Sequence, residues 1–248
     1  MDNFYLIIIA SFVLSFIFAL GGVGAAVALV PFLNWAEVPF NLAKAVGLFT
    51  NTISLSGASY YNIKNKKIDF KLAVPLIIAS GIFAPLGAWS SNYISKEISI
   101  YIFILFLILS GSMMIFFKGA RLENNYRENV PLFITTIIGA IAGLISGLLG
   151  VGGGSFISPL LIIIGFSPKK VAAITAFVVP FSSFLAFLTY VSMTEIQWDI
   201  LLFAASAAYL GGYLGTRIMH NKMKTKFIKK FLGIILFLIA IKLIIRVT

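Results

Sequence analysis

The sequence predicts an all-α polytopic membrane protein, built as two inverted repeats, each a glycine-broken re-entrant hairpin plus three transmembrane helices. Three observations carry that prediction. The 248 residues are 60% hydrophobic and only 11% charged, with a mean hydropathy of +1.04, outside the range of soluble domains. The apolar residues fall into stretches of membrane-crossing length, which needs about 20 residues per crossing. The glycines cluster at two points, and those points belong to an internal duplication.

The apolar stretches run at 3–33, 42–61, 72–94, 98–117, 131–164, 171–192, 200–219 and 231–245. "ISIYIFILFLILSGSMMIFF" (98–117) reads as a plain spanning helix. The last stretch is short between Lys230 and Lys242, and both lysines can snorkel. The first and fifth stretches each exceed 30 residues, too many for one crossing and too few for two. Each is interrupted by glycine: "GGVGAA" at 21–26 and "GVGGGS" at 150–155. A hairpin that enters, turns at the glycines and returns fits that length. The N-terminal "MDNFYLIII" lacks the basic region of a signal peptide, so the first stretch is expected to be retained.

The two broken stretches align. "GVGAAVALVPFL" from Gly22 matches "GVGGGSFISPLL" from Gly150 at an offset of 128, with Pro31 on Pro159. "VPFNLAKAVGLFTNTISLSG" matches "FSPKKVAAITAFVVPFSSFL" at an offset of 129, and "PLGAW" matches "YLGTR" at 128. The predicted organisation is one repeat over 1–118, a cytoplasmic linker over 119–130 and a second repeat over 131–248.

Charge sets the orientation. The loop "NIKNKKIDFK" is basic, whereas its equivalent "MTEIQWD" carries only acids. The next loop reverses this: "SNYISKE" is nearly neutral and "RIMHNKMKTKFIKK" carries six bases. Lys and Arg collect on the cytoplasmic side, so 62–71 and 217–230 are both expected inside. They occupy non-equivalent places in the repeat, which inverts one half against the other. The linker, with Lys118, Arg121 and Arg127, and Lys169–Lys170 are then also inside. Trp35, Trp89 and Trp198 lie at span ends as interfacial anchors. The net charge of +11 is read as topology rather than nucleic-acid binding, because the basic residues are taken to be confined to loops. The expected location is the cytoplasmic membrane, multi-pass, and nothing in the pattern specifies an oligomeric state.

Broken helices of inverted repeats that meet near the midplane are the architecture of secondary transporters. Irregular backbone is tolerated at depth where it lines a cavity. N–H groups freed at a half-helix start favour anions. The expected partner is therefore a small anionic substrate. The binding residues are Gly22 and Gly24 in one turn and Gly150, Gly152, Gly153, Gly154 and Ser155 in the other. Asn51, Thr52, Thr175, Ser182 and Ser183 follow each hairpin. Close helix packing is the competing reading of the glycines, and for any single hydroxyl a bond back to its own helix. Asn51 suits substrate binding and an interhelical hydrogen bond equally. Its counterpart at offset 129 is Pro180, which is expected to break the matching helix.

The acids, Asp2, Glu37, Asp69, Glu97, Glu123, Glu128, Glu195 and Asp199, all fall in loops or at the chain end, so no carboxylate is placed for a cation or proton relay. His220 is the sole histidine, read as solvated in a basic loop, and there is no cysteine. That leaves no catalytic set, and no cofactor or metal is expected.

"GGVGAAVALVPFL", "GLISGLLGVGGGSFISPLLIIIGFSPKKVAAITAFVVPFSS" and "GGYLGTRI" resemble the sulfite exporter TauE/SafE family, also called TSUP or DUF81, over nearly the whole chain. The second copy carries the more specific part. The resemblance implies a cytoplasmic-membrane permease for small sulfur-containing anions such as sulfite or sulfonates, some members acting on organic acids. The first copy departs from the pattern in its fewer glycines and in Asn51. A passive anion channel and an organic-acid permease are the alternatives on the same fold.

Overall fold

Each glycine cluster divides its long apolar stretch into two helices. In this computed structural model, which describes residues 2–116, 131–222 and 225–247, α1 (Asp2–Ala19) and α2 (Ala26–Trp35) flank the first cluster. The second cluster separates α6 (Leu132–Leu149) from α7 (Gly154–Ile164). The others are α3 (Phe40–Lys64), α4 (Phe70–Ser90), α5 (Lys96–Phe116), α8 (Pro168–Val191), α9 (Trp198–Lys222) and α10 (Thr225–Val247). A 3-10 turn at Ser91–Tyr93 joins α4 to α5. Among the described residues no strand occurs. The linker expected at 119–130 lies outside the described residues.

Among the described residues, four helices are long and apolar enough to cross a membrane by themselves: Phe70–Tyr93, Lys96–Phe116, Leu132–Leu149 and Pro168–Val191. The surface is apolar, with Ile78, Ile82, Leu105 and Leu238 all exposed. Buried serines, threonines and asparagines sit inside. Apolar side chains outward and polar ones inward is the pattern expected when lipid is the solvent.

The packing comes in exchanged pairs. α4 lies along α6 as α9 lies along α1; α3 packs on α9 as α4 packs on α8; α3 meets α8 and α5 meets α10. The glycines that allow this closeness obey the same exchange. A Cβ at Gly87 would collide with the Leu144 carbonyl, and one at Gly215 with the Phe16 carbonyl. Both partners of the second contact differ by 128 from those of the first. The register of 128 extends to α3 and α8, whose first residues are Phe40 and Pro168. That is one residue from the 129 read off the prolines, and it sets Val179 rather than Pro180 opposite Asn51.

Helix ends also group. The Tyr190 hydroxyl near the end of α8 stands 3.0 Å from Ser91 Oγ at the end of α4, and Lys44 in the first turns of α3 lies over the Tyr190 ring. At the other end of the bundle, Lys67 before α4 approaches His220 Nδ1 (3.5 Å) near the end of α9. Lys170 at the start of α8 pairs there with Asp69 (2.8 Å).

Four expectations are corrected. Pro180 does not break α8, which runs unbroken from Pro168 to Val191. Proline lacks the N–H that would bond to Ala176 O, and Ser59 of α3 donates to that carbonyl instead (2.6 Å). The basic residues expected in a 217–230 loop lie on helices where they are described: Arg217 sits on α9 and Lys230 on α10. Glu97 and Asp199 lie in the first turns of α5 and α9 rather than in loops. The basic residues are not confined to loops, since Lys44 is buried within α3, 1% exposed.

Candidate functional site

The two turns are built alike. Gly22 and Gly24 have φ of 66° and 87°, and Gly150 and Gly152 have φ of 72° and 74°. In this left-handed region a side chain costs about 1–2 kcal/mol per residue, so glycine is required. Gly150 caps α6, its N–H returning to Ser146 O (2.9 Å). The chain then reverses into α7, whose first N–H groups have no partner within the helix.

Both turns reach one side chain. Asn51, fully buried on α3, donates from Nδ2 to Ser183 Oγ on α8 (3.0 Å). Its Oδ1 faces the Ala26 N–H at the start of α2 (3.5 Å). A Cβ at Gly24 would overlap Asn51 Oδ1, and one at Gly152 would overlap Asn51 Nδ2 and come 3.2 Å from Ser183 Oγ. A Cβ at Gly154 would stand 2.7 Å from Val23 O. The turns therefore touch each other, with the Asn51 amide wedged between them.

The other expected residues divide. Gly22 packs on the Ala172 backbone and Gly150 on Lys44. Ser155 is buried at the start of α7, its Oγ 3.5 Å from Gly152 O. Gly153 faces Ala142, where a Cβ would find ordinary room at 3.4 Å. Thr52 donates to Leu48 O (2.9 Å), Thr175 to Val171 O (2.9 Å) and Ser182 to Val179 O (3.1 Å). Each of these three bonds back to its own helix, though Thr175 also accepts from Ser158 (3.3 Å). Among the described residues, the buried hydroxyls of Thr50, Ser54 and Ser146 find no hydrogen-bond partner. Buried polar atoms are normally satisfied; the Ser54 hydroxyl lies against Gly212 of α9, and Ser146 is the residue whose carbonyl receives the Gly150 N–H.

Two features escaped the sequence reading. Lys44 is the first; a single base inside an apolar stretch was the available signal. The second is His220, half-buried rather than solvated, with Nε2 2.9 Å from Asn62 Oδ1 and its ring stacked on Tyr61. Burial, then Lys67 and Lys169, push its pKa down to about 4. Nothing in the local sequence marks that contact, which spans 158 positions.

The model of the family described as "Sulfite exporter TauE/SafE" matches residues 7–243. The chain belongs to the sulfite exporter TauE/SafE family. The resemblance drawn from the glycine-rich motifs is thus upheld over nearly the full length. Among TauE/SafE relatives and other transporters, the chain is 26% identical to "Probable membrane transporter protein YunE" of Bacillus subtilis, over 98% of this chain and 97% of that one. It is 27% identical to "Probable membrane transporter protein MJ0441" of Methanocaldococcus jannaschii, over 93% and 91%. A shorter match, 27% identical over 50% of this chain and 29% of the other, is to "Sulfite exporter TauE/SafE family protein 6" of Arabidopsis thaliana. No solved structure matches. Family and helices together make this a multi-pass membrane transporter, and its relatives carry transporter names rather than enzyme names.

Proposed function

We propose that this TauE/SafE-family chain is a secondary transporter of the cytoplasmic membrane. It moves a small anion, a sulfur-containing oxyanion or sulfonate, by alternating access. The observation that carries the reading is the convergence of both glycine turns, one from each half, on the Asn51 amide. Half-helix starts at α2 and α7 aim N–H groups inward, where the dipole favours negative charge. Asn51, Ser183 and Ser155 add donors. The substrate class comes from the family description, sulfite exporter, and from the chemistry of donors without a carboxylate.

The exchanged packing supports two halves related by a two-fold axis. Lys67, Lys170 and His220 at one end of the bundle support inversion, because the 62–71 connection and the end of α9 then share the cytoplasmic side. Each half is one re-entrant hairpin plus three crossings. Turns in van der Waals contact favour a gated transporter over an open channel: an anion enters only when the halves part.

Proteoliposomes test this. Uptake of radiolabelled sulfite or thiosulfate should saturate, and Asn51→Ala should lower it at least tenfold. Equal uptake by Asn51→Ala and wild type refutes the site. Cysteines at positions 65 and 222 should label from one face; labelling from opposite faces refutes the inversion.

A further inference from the structure

A second polar site lies where α3 begins. The Lys44 side chain is buried, 1% exposed, yet among the described residues it has no carboxylate and no hydrogen-bond acceptor. Its ammonium instead rests 4.4 Å from the Phe40 ring centroid and 5.7 Å from that of Tyr190. Aromatic faces hold a cation in place without neutralising it. A buried charge is costly unless paired, so an unpaired one is held for a partner that comes and goes.

Lys44 lines a cavity of about 420 Å³. Around it stand a second lysine, Lys96, the amides of Asn41 and Asn92, and the hydroxyls of Ser91 and Thr194. No acid lines it. The cavity also meets the N-terminal end of α3, whose N-cap is Pro39 and whose side chains supply no cap bond. Two cations, five neutral polar groups with Ser99 the fifth, and a positive helix end suit an oxyanion of one or two charges.

The pocket is coupled to the second turn. The stem of Lys44 packs on Gly150. The Tyr190 hydroxyl beneath the ammonium donates to Gly147 O (2.9 Å) in the last turn of α6. The position 128 residues after Lys44 is Ala172, so the charge exists at one end of the bundle only.

We infer that the Lys44 pocket is an anion site separate from the central turns, holding a small oxyanion on the Lys44 ammonium. The anion could be a free solute or the phosphate of a lipid headgroup, and the test distinguishes them. The protein is placed in phosphatidylcholine or phosphatidylglycerol nanodiscs. Its thermal unfolding is followed as methanesulfonate or sulfate is titrated at low ionic strength. Wild type and Asn51→Ala should both show a saturable upward shift in phosphatidylcholine. Lys44→Met should lose it while melting higher than wild type without anion, because a buried unpaired charge is gone. Lys44→Arg should keep it within tenfold in midpoint. A shift that disappears in phosphatidylglycerol assigns the anion to a headgroup; one that persists assigns it to a solute. A Lys44→Met response equal to wild type, a response lost in Asn51→Ala, or no wild-type response in either lipid overturns the inference. Because the readout is binding, it stands or falls separately from transport through the central turns.

Discussion

Replacing Gly152 with alanine and comparing it with the neighbouring Gly153→Ala isolates what the turn does. The two changes add the same methyl one residue apart. At Gly152 the backbone is left-handed, φ 74°, which costs alanine about 1–2 kcal/mol. The new Cβ also lands on Asn51 Nδ2, so the amide must rotate away and its 3.0 Å bond to Ser183 breaks. Interhelical hydrogen bonds in membranes are worth roughly 0.6 kcal/mol on average. The sum is about 1.6–2.6 kcal/mol of lost stability. At Gly153 the backbone is ordinary, φ −69°, and the nearest atom stands 3.4 Å away. Alanine there should be neutral or stabilise by about 0.4–1 kcal/mol. Equilibrium unfolding in mixed SDS micelles measures the difference, and sulfite uptake by the same proteins gives the functional effect. Gly152→Ala should be deficient in both and Gly153→Ala in neither. Equal effects of the two, in either direction, refute the assignment of the turn to Asn51.

Two further outcomes follow from the end of the bundle that carries Lys67 and Lys170. Burial raises the Asp69 carboxyl, but the Lys170 ammonium and the N–H groups of Leu72 and Lys71 outweigh it, and the net direction is down. A depressed carboxylate stabilises above its unfolded pKa and loses that contribution as pH falls through the folded value. Asp69→Asn should therefore cost under about 1 kcal/mol near neutrality, as for a partly exposed pair, and nothing in strong acid; Asp69→Ala should cost about 1 kcal/mol more by losing the cap on α4. His220, lowered to about 4, binds its proton more readily unfolded than folded. Stability should fall between about pH 6.5 and 4, and His220→Gln should flatten that slope; an unchanged slope contradicts the buried setting.

Composition and stretch length were enough for the class, because lipid leaves a chain few alternatives to helices. Both breaks were legible for the same reason: four glycines take left-handed backbone at positions 128 apart, and no other residue does so cheaply. Asn51 stood out as the amide in an apolar stretch. That its partner is Ser183, 132 positions away, needed the packing of α3 on α8. Pro180 misled because its helix is repaired by Ser59, a residue from another helix that no local pattern reveals. Lys44 was hidden by counting bases per loop, which overlooks a lone charge inside an apolar run.

Anomalous diffraction from crystals grown with selenate, a heavier relative of sulfur oxyanions, bears most directly on the central assignment. The account predicts a selenium peak within hydrogen-bonding distance of the Asn51 amide and the first N–H groups of α2 and α7. Selenium found only on outer basic residues, with none beside the Asn51 amide at saturating selenate, would contradict it.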